Sequence, residues 1–130
     1  MMVVDTSALL AIFFLEAEAE AFTRAIRDAE APLLSAANLV ETSIVLDSRV
    51  AGSSAEELDA FIAGSGLEVE PVTSAQAQIA RDAYRAYGKG IHPAGLNFGD
   101  CFAYALAKAA GLPLLYKGRD FPKTDVKPWT

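Results

Sequence analysis

The stretch Asn97-Phe98-Gly99-Asp100-Cys101-Phe102-Ala103-Tyr104-Ala105-Leu106-Ala107-Lys108-Ala109-Ala110-Gly111-Leu112-Pro113-Leu114-Leu115-Tyr116 decides the fold of this chain. Asn97 is a strong helix N-cap, and the small and apolar residues through Ala110 continue a helix. Gly111 then stops it, because glycine enters the left-handed conformation that closes helices at little cost. Leu112 to Tyr116 follows at once as a short apolar run, which reads as a buried strand. A helix feeding directly into a buried strand is the unit of a parallel sheet.

The same unit repeats outward from there. Met2–Val4 reads as a short buried strand, with Asp5 or Thr6 capping a helix that carries Ala8, Leu9, Ile12 and Phe13 as its stripe. Glu18 to Ala29 is a second helix, expected to face Ala21, Phe22, Ala25 and Ile26 inward. Pro32-Leu33-Leu34 is a strand, and Ser35 with Asn38 offers caps for a helix reaching about Val50. Gly52-Ser53-Ser54 breaks the pattern before a helix over Ala55 to Ala63, which Gly64-Ser65-Gly66 ends. Leu67 to Val72 alternates apolar and acidic residues, the mark of a half-exposed strand near an edge. Thr73 or Ser74 caps a helix to about Tyr87, and the glycine-rich Gly88 to Leu96 segment is a loop. The expectation is a single α/β domain over residues 1–130, a three-layer α/β/α sandwich with a central, mainly parallel sheet.

Bulk composition fits that architecture. Of 130 residues, 52% are hydrophobic and 22% charged, the balance of a globular domain rather than a disordered chain. The longest apolar run, Ala8 to Leu15, is well short of the ~20 residues that cross a bilayer, so no membrane association is expected. One cysteine, Cys101, excludes an internal disulfide and fits a reducing, cytoplasmic setting. The net charge of −6 is uneven: residues 1–80 hold three basic and thirteen acidic groups, residues 81–130 eight basic and four acidic. The C-terminal half can therefore present a positive patch, or simply solvated helix faces and a basic tail, beside an acidic pocket.

Four acids stand where solubility alone would not put them. Asp5 ends the first strand, Glu41 lies between Val40 and Ile44, Asp100 opens the helix after Asn97, and Asp120 follows the last strand. Each has an ordinary reading, as a helix cap, a solvated helix residue or a turn former. Together they suggest one pocket at the strand C-termini, where open parallel sheets bind ligands. Carboxylates taken out of water are tolerated when paired or bound to a cation, and an oxygen-only set suits Mg²⁺ or Mn²⁺. Such an ion lowers the pKa of water and neutralises phosphodiester charge. With one histidine, His92, and one cysteine, a standard zinc site is poorly supplied, and Gly88-Lys89-Gly90 lacks the spacing of a phosphate-binding loop.

These segments also resemble a known family. Val3-Val4-Asp5-Thr6-Ser7-Ala8, Glu41-Thr42-Ser43, Asn97 to Ala107 and Tyr116-Lys117-Gly118-Arg119-Asp120-Phe121 resemble, in order, the motifs of PIN domains, and more narrowly of VapC-type toxins of bacterial VapBC toxin–antitoxin modules. The resemblance implies a PIN fold and a Mg²⁺- or Mn²⁺-dependent endoribonuclease, with Asp5 and Asp100 as principal metal ligands and Glu41 and Asp120 completing the catalytic set. Thr6 or Ser7 matches the supporting hydroxyl. The family also implies an RNA substrate, a homodimer and a VapB-type antitoxin. Arg119 departs from the pattern, which usually has Asn or Asp there, and is a candidate phosphate contact or partner of a neighbouring acid. Lys89, Lys117 and Lys123 are further phosphate candidates. The rival readings are a non-catalytic PIN module that binds RNA or protein, and a phosphoacceptor receiver domain, which would need paired acids after the first strand.

Overall fold

A computed structural model describes residues 1–49 and 54–130, so the expected helix end at Val50 and the Gly52-Ser53 break lie outside the described residues. The elements are β1 (Met2–Val4), α1 (Thr6–Phe13), α2 (Ala19–Asp28), β2 (Pro32–Ser35), α3 (Ala36–Arg49), α4 (Ser54–Ser65), β3 (Glu68–Glu70), α5 (Ser74–Tyr87), α6 (Phe98–Ala110) and β4 (Leu114–Leu115), followed by a 3₁₀ turn at Phe121–Lys123. The four strands form one parallel sheet in the order β3-β2-β1-β4. Val3 lies beside Leu33 and Leu114, and Val4 beside Leu115.

Side chains alternate across the sheet with period two and build a separate core on each face. Met2, Val4, Leu34 and Leu115 pack with Ala8, Leu9 and Ile26 on one side. Val3, Leu33 and Leu114 pack with Ala80, Ala83 and the α6 residues Ala103 to Ala107 on the other. The expected three-layer sandwich is present. No helix among the described residues is long and apolar enough to cross a membrane.

Local chemistry explains most boundaries. Asp5 caps α1, Thr73 caps α5, and Asn97 with Asp100 forms a reciprocal capping box on α6. Gly111 closes α6 at φ 67°, letting the Leu112 N–H reach the Ala107 carbonyl. β4 is shorter than the expected Leu112–Tyr116, since Pro113 has no N–H to give a ladder. Its outer side is covered by the C-terminal segment: Leu114 N–H donates to the Lys127 carbonyl and Trp129 N–H to that of Leu114. At the opposite edge β3 exposes Glu68 and Val69, the half-exposed strand its alternation predicts.

Two details differ from the sequence reading. Ala21 is exposed, because the inward stripe of α2 is Phe22, Ala25, Ile26 and Ala29 at i, i+3, i+4 and i+7, and Ala21 falls outside it. Asn38 does not cap α3. That helix already starts at Ala36, with Ser35 Oγ accepting from the Ala37 N–H, and Asn38 lies fully buried within it.

Candidate active site at the switch point of the sheet

The chain runs β1, β2, β3 to one side and then returns to place β4 on the other side of β1. The sheet therefore has a topological switch point between β1 and β4, the crevice where open α/β sheets hold ligands. Asp5 follows β1 there, with its N–H donating to the Leu115 carbonyl of β4. Asp120 follows β4, so the first and last acids both come after the C-terminal ends of neighbouring parallel strands.

Asp5 is buried, and one of its oxygens, Oδ2, accepts the Ser7 N–H at 2.9 Å. The other, Oδ1, is buried without any hydrogen-bond partner. Burial pushes the carboxyl up to about 7; the Asp100 charge adds to the rise, the Ser7 hydrogen bonds oppose it, and Glu41 adds a smaller part. Asp100 sits in the first turn of α6, its Oδ2 accepting the Asn97 N–H at 2.9 Å. It is pushed up to about 6, first by burial, against the pull of that hydrogen bond, with Glu41 and then Asp120 adding repulsion. Asp100 and Glu41 thus act on Asp5, while Glu41 and, from the exposed rim at the start of the 3₁₀ turn, Asp120 act on Asp100.

Glu41 reaches inward from α3, as its length allows. Its Oε1 accepts from Asn38 Nδ2 at 3.2 Å, and its carboxylate lies so close over Gly99 that a Cβ there would fall inside it. Thr6 is buried and its hydroxyl meets Asn38 Nδ2 at 3.2 Å. Ser7 joins the two ends of the site, since its Oγ accepts the Lys117 N–H at 2.9 Å while its own N–H holds Asp5.

The basic residues divide. Lys117 places its ammonium 2.6 Å from Glu16 and 3.3 Å from Glu18, hydrogen bonds that raise its pKa, so its charge is already matched. Arg119 is exposed and makes no ion pair among the described residues. Lys123 reaches the Pro93 carbonyl at 3.4 Å, and Lys89 is exposed. His92 is occupied in its own loop: Nδ1 accepts the Ala94 N–H and the ring packs edge-on to Tyr87.

Among the described residues no three acids, histidines or cysteines converge tightly enough to coordinate an ion as they stand. The mutual effects on ionisation show proximity, while the ligand geometry is not pre-closed. Like charges repel, and each carboxylate here turns toward its own donor: Ser7, Asn38 or Asn97. The donor set nevertheless fits a hard divalent cation. It is all oxygen, it is over-supplied with negative charge, and Asp5 Oδ1 has no other partner.

The PIN-domain family model matches residues 2–127. The chain belongs to the PIN-domain family. Within that family it is similar to ribonuclease VapC30 of Mycobacterium tuberculosis, with 46% identity over 125 residues covering 96% of this chain and 95% of that protein. Among solved structures, the PIN fold here is similar to that of Mycobacterium tuberculosis VapC20, described as a sarcin–ricin-loop-cleaving toxin. The TM-score is 0.76 at 21% identity, covering 98% of this chain and all of that one. It is also similar to a chain of a toxin–antitoxin complex from Klebsiella pneumoniae, with TM-score 0.71, 18% identity and coverage of 99% and 98%.

The four candidate acids stand out in the sequence, whereas Asn38 and Gly99, which the structure sets against Glu41, were passed over. The signals were present. An Asn three positions before a Glu shares a helix face with it, and a glycine inside a first helical turn costs about 1 kcal/mol against alanine without a local benefit.

Proposed function

We propose that this PIN domain is the endoribonuclease toxin of a toxin–antitoxin module, and that it works with Mg²⁺ or Mn²⁺ held between Asp5 and Asp100. The observation that carries the reading is the buried Asp5 carboxyl, with one oxygen unpartnered and two further acids acting on it at the switch point. When bound, such an ion lowers the pKa of water and neutralises phosphodiester charge. The remaining work belongs to the side chains. Asp5 is fixed by its cap on α1 and Asp100 by its cap on α6, so both carboxyls keep little freedom. Glu41 completes the negative set from α3. Asp120, on the exposed rim, is the acid placed to orient an attacking water.

Arg119, Lys123 and Lys89 are the cations for RNA phosphates; Lys117 serves better as a strut, tying the segment after β4 to Glu16 and Glu18. A homodimer in the cytoplasm belongs to the same reading. Exposed Phe98 and Tyr84 flank an apolar cleft of about 470 Å³ between α5 and α6, a surface suited to a second copy. The similarity to a chain of a toxin–antitoxin complex supports a VapB-type antitoxin as the partner that silences the crevice.

The test is cleavage of total RNA by purified protein with Mn²⁺, with excess EDTA, and by Asp100→Asn. The amide keeps the capping oxygen and removes the charge, so a folded, inactive variant is expected, with activity falling by ~10³-fold. Undiminished cleavage in EDTA or by the variant overturns the mechanism. A wild-type protein that binds RNA without cutting it points to the binding-only reading.

A further inference from the structure

We infer that Asn38 is a positioning residue for this site, holding Glu41 beside Asp5 and Asp100 with Gly99 as the other half of the cradle; this rests on the cation-dependent reading above. Asn38 has no solvent exposure. Its Nδ2 faces three acceptors on three elements: Thr6 Oγ1 of α1 at 3.2 Å, Glu41 Oε1 of α3 at 3.2 Å and the Gly99 carbonyl of α6 at 3.0 Å. An amide nitrogen carries two N–H groups, so all its donor capacity is spent inside the site. Because all three neighbours can accept, the nitrogen rather than the oxygen faces them, and Oδ1 is left buried without a donor. A buried amide that leaves its own oxygen unsatisfied costs stability, so its placement serves something other than packing.

What it serves is visible on Glu41. This glutamate sits on α3 between exposed Val40 and Ile44, with solvent close by, and repulsion among neighbouring carboxylates favours an outward rotamer. The Asn38 N–H holds one carboxylate oxygen, and the bare Cα of Gly99 leaves room for the group to lie against the first turn of α6. The same amide grips the Gly99 carbonyl, one residue before Asp100, so it sets Glu41 and Asp100 relative to each other. Polar groups that orient metal ligands without touching the metal typically govern affinity or activity by ~10–100-fold.

The experiment measures Mn²⁺ affinity from the free-Mn²⁺ electron paramagnetic resonance signal, alongside RNA cleavage, for wild type, Asn38→Ala, Gly99→Ala, Glu41→Gln and the two double variants. Asn38→Ala and Gly99→Ala are each expected to weaken Mn²⁺ binding by ~10–100-fold, and neither is expected to weaken it further once Glu41→Gln is present. Gly99→Ala keeps the test decisive if Asn38→Ala unfolds, since the nearest atoms the added Cβ meets are the movable end of Glu41. Affinities within twofold of wild type, or the same loss with Glu41 already replaced, overturn the assignment. A wild-type protein that neither binds Mn²⁺ nor cuts RNA with it overturns the proposed function itself, and this inference with it.

Discussion

Replacing Asp5 by Asn separates what this carboxyl does for the site from what it does to the fold. Folding raises its pKa from 3.8 to about 7. The native state therefore keeps a proton that the unfolded chain releases between about pH 4 and pH 7, and stability falls as pH rises through that window. At about 1.4 kcal/mol per pH unit, the fall reaches about 4 kcal/mol by pH 8. Asparagine cannot ionise, yet its oxygen still accepts the Ser7 N–H, so the cap on α1 survives. Its new N–H group would stand where the unpartnered Oδ1 stood. Urea unfolding in EDTA is the assay. Asp5→Asn is expected to match wild type within ~1 kcal/mol at pH 4 and to exceed it by about 2–4 kcal/mol at pH 8, a midpoint rise of about 1–2 M, while losing RNA cleavage. A variant no more stable than wild type at pH 8 refutes the burial argument and the charge cluster that rests on it.

Other parts of the molecule give independent tests. Tyr104 Oη donates to Asp125 Oδ1 at 2.6 Å, a bond that holds the Asp125 carboxyl below its usual range. Tyr104→Phe should cost about 1–2 kcal/mol and lower Tm by about 5 °C in calorimetry; no change would show that Lys108 alone anchors the tail. Gly111→Ala forces a Cβ into the left-handed conformation at φ 67° and should cost about 1 kcal/mol in the same assay. RNA affinity of a cleavage-dead variant should fall steeply between low and moderate salt. Arg119→Ala and Lys123→Ala should each reduce the log–log slope by about 1, and Lys117→Ala by much less, given its pairing with Glu16 and Glu18.

The sequence exposed the fold where local rules were strong. Asn97, Asp100 and Gly111 bracket α6 by capping chemistry alone, and the apolar runs Met2–Val4 and Leu114–Leu115 mark strands buried on both faces. It was silent where long-range contacts decide. Asn38 looks like a cap on paper because nothing local reveals that Thr6, 32 positions away, and Gly99, 61 positions away, will surround it. Lys117 reads as one more free cation until the fold brings it, across about a hundred residues, to Glu16. The four acids were legible as a set because Asp5 and Asp100 adjoin a strand end and a helix start, Asp120 follows the last strand, and Glu41 stands between apolar residues of a helix. How far they converge was not, since that depends on rotamers and on the donors each one finds.

Anomalous diffraction from a crystal soaked in Mn²⁺ tests most directly whether these carboxylates share a cation. A peak is expected in the crevice between β1 and β4, at Asp5 and Asp100 with Glu41 nearby. A peak elsewhere on the surface, or none in the crevice at saturating Mn²⁺, would contradict it.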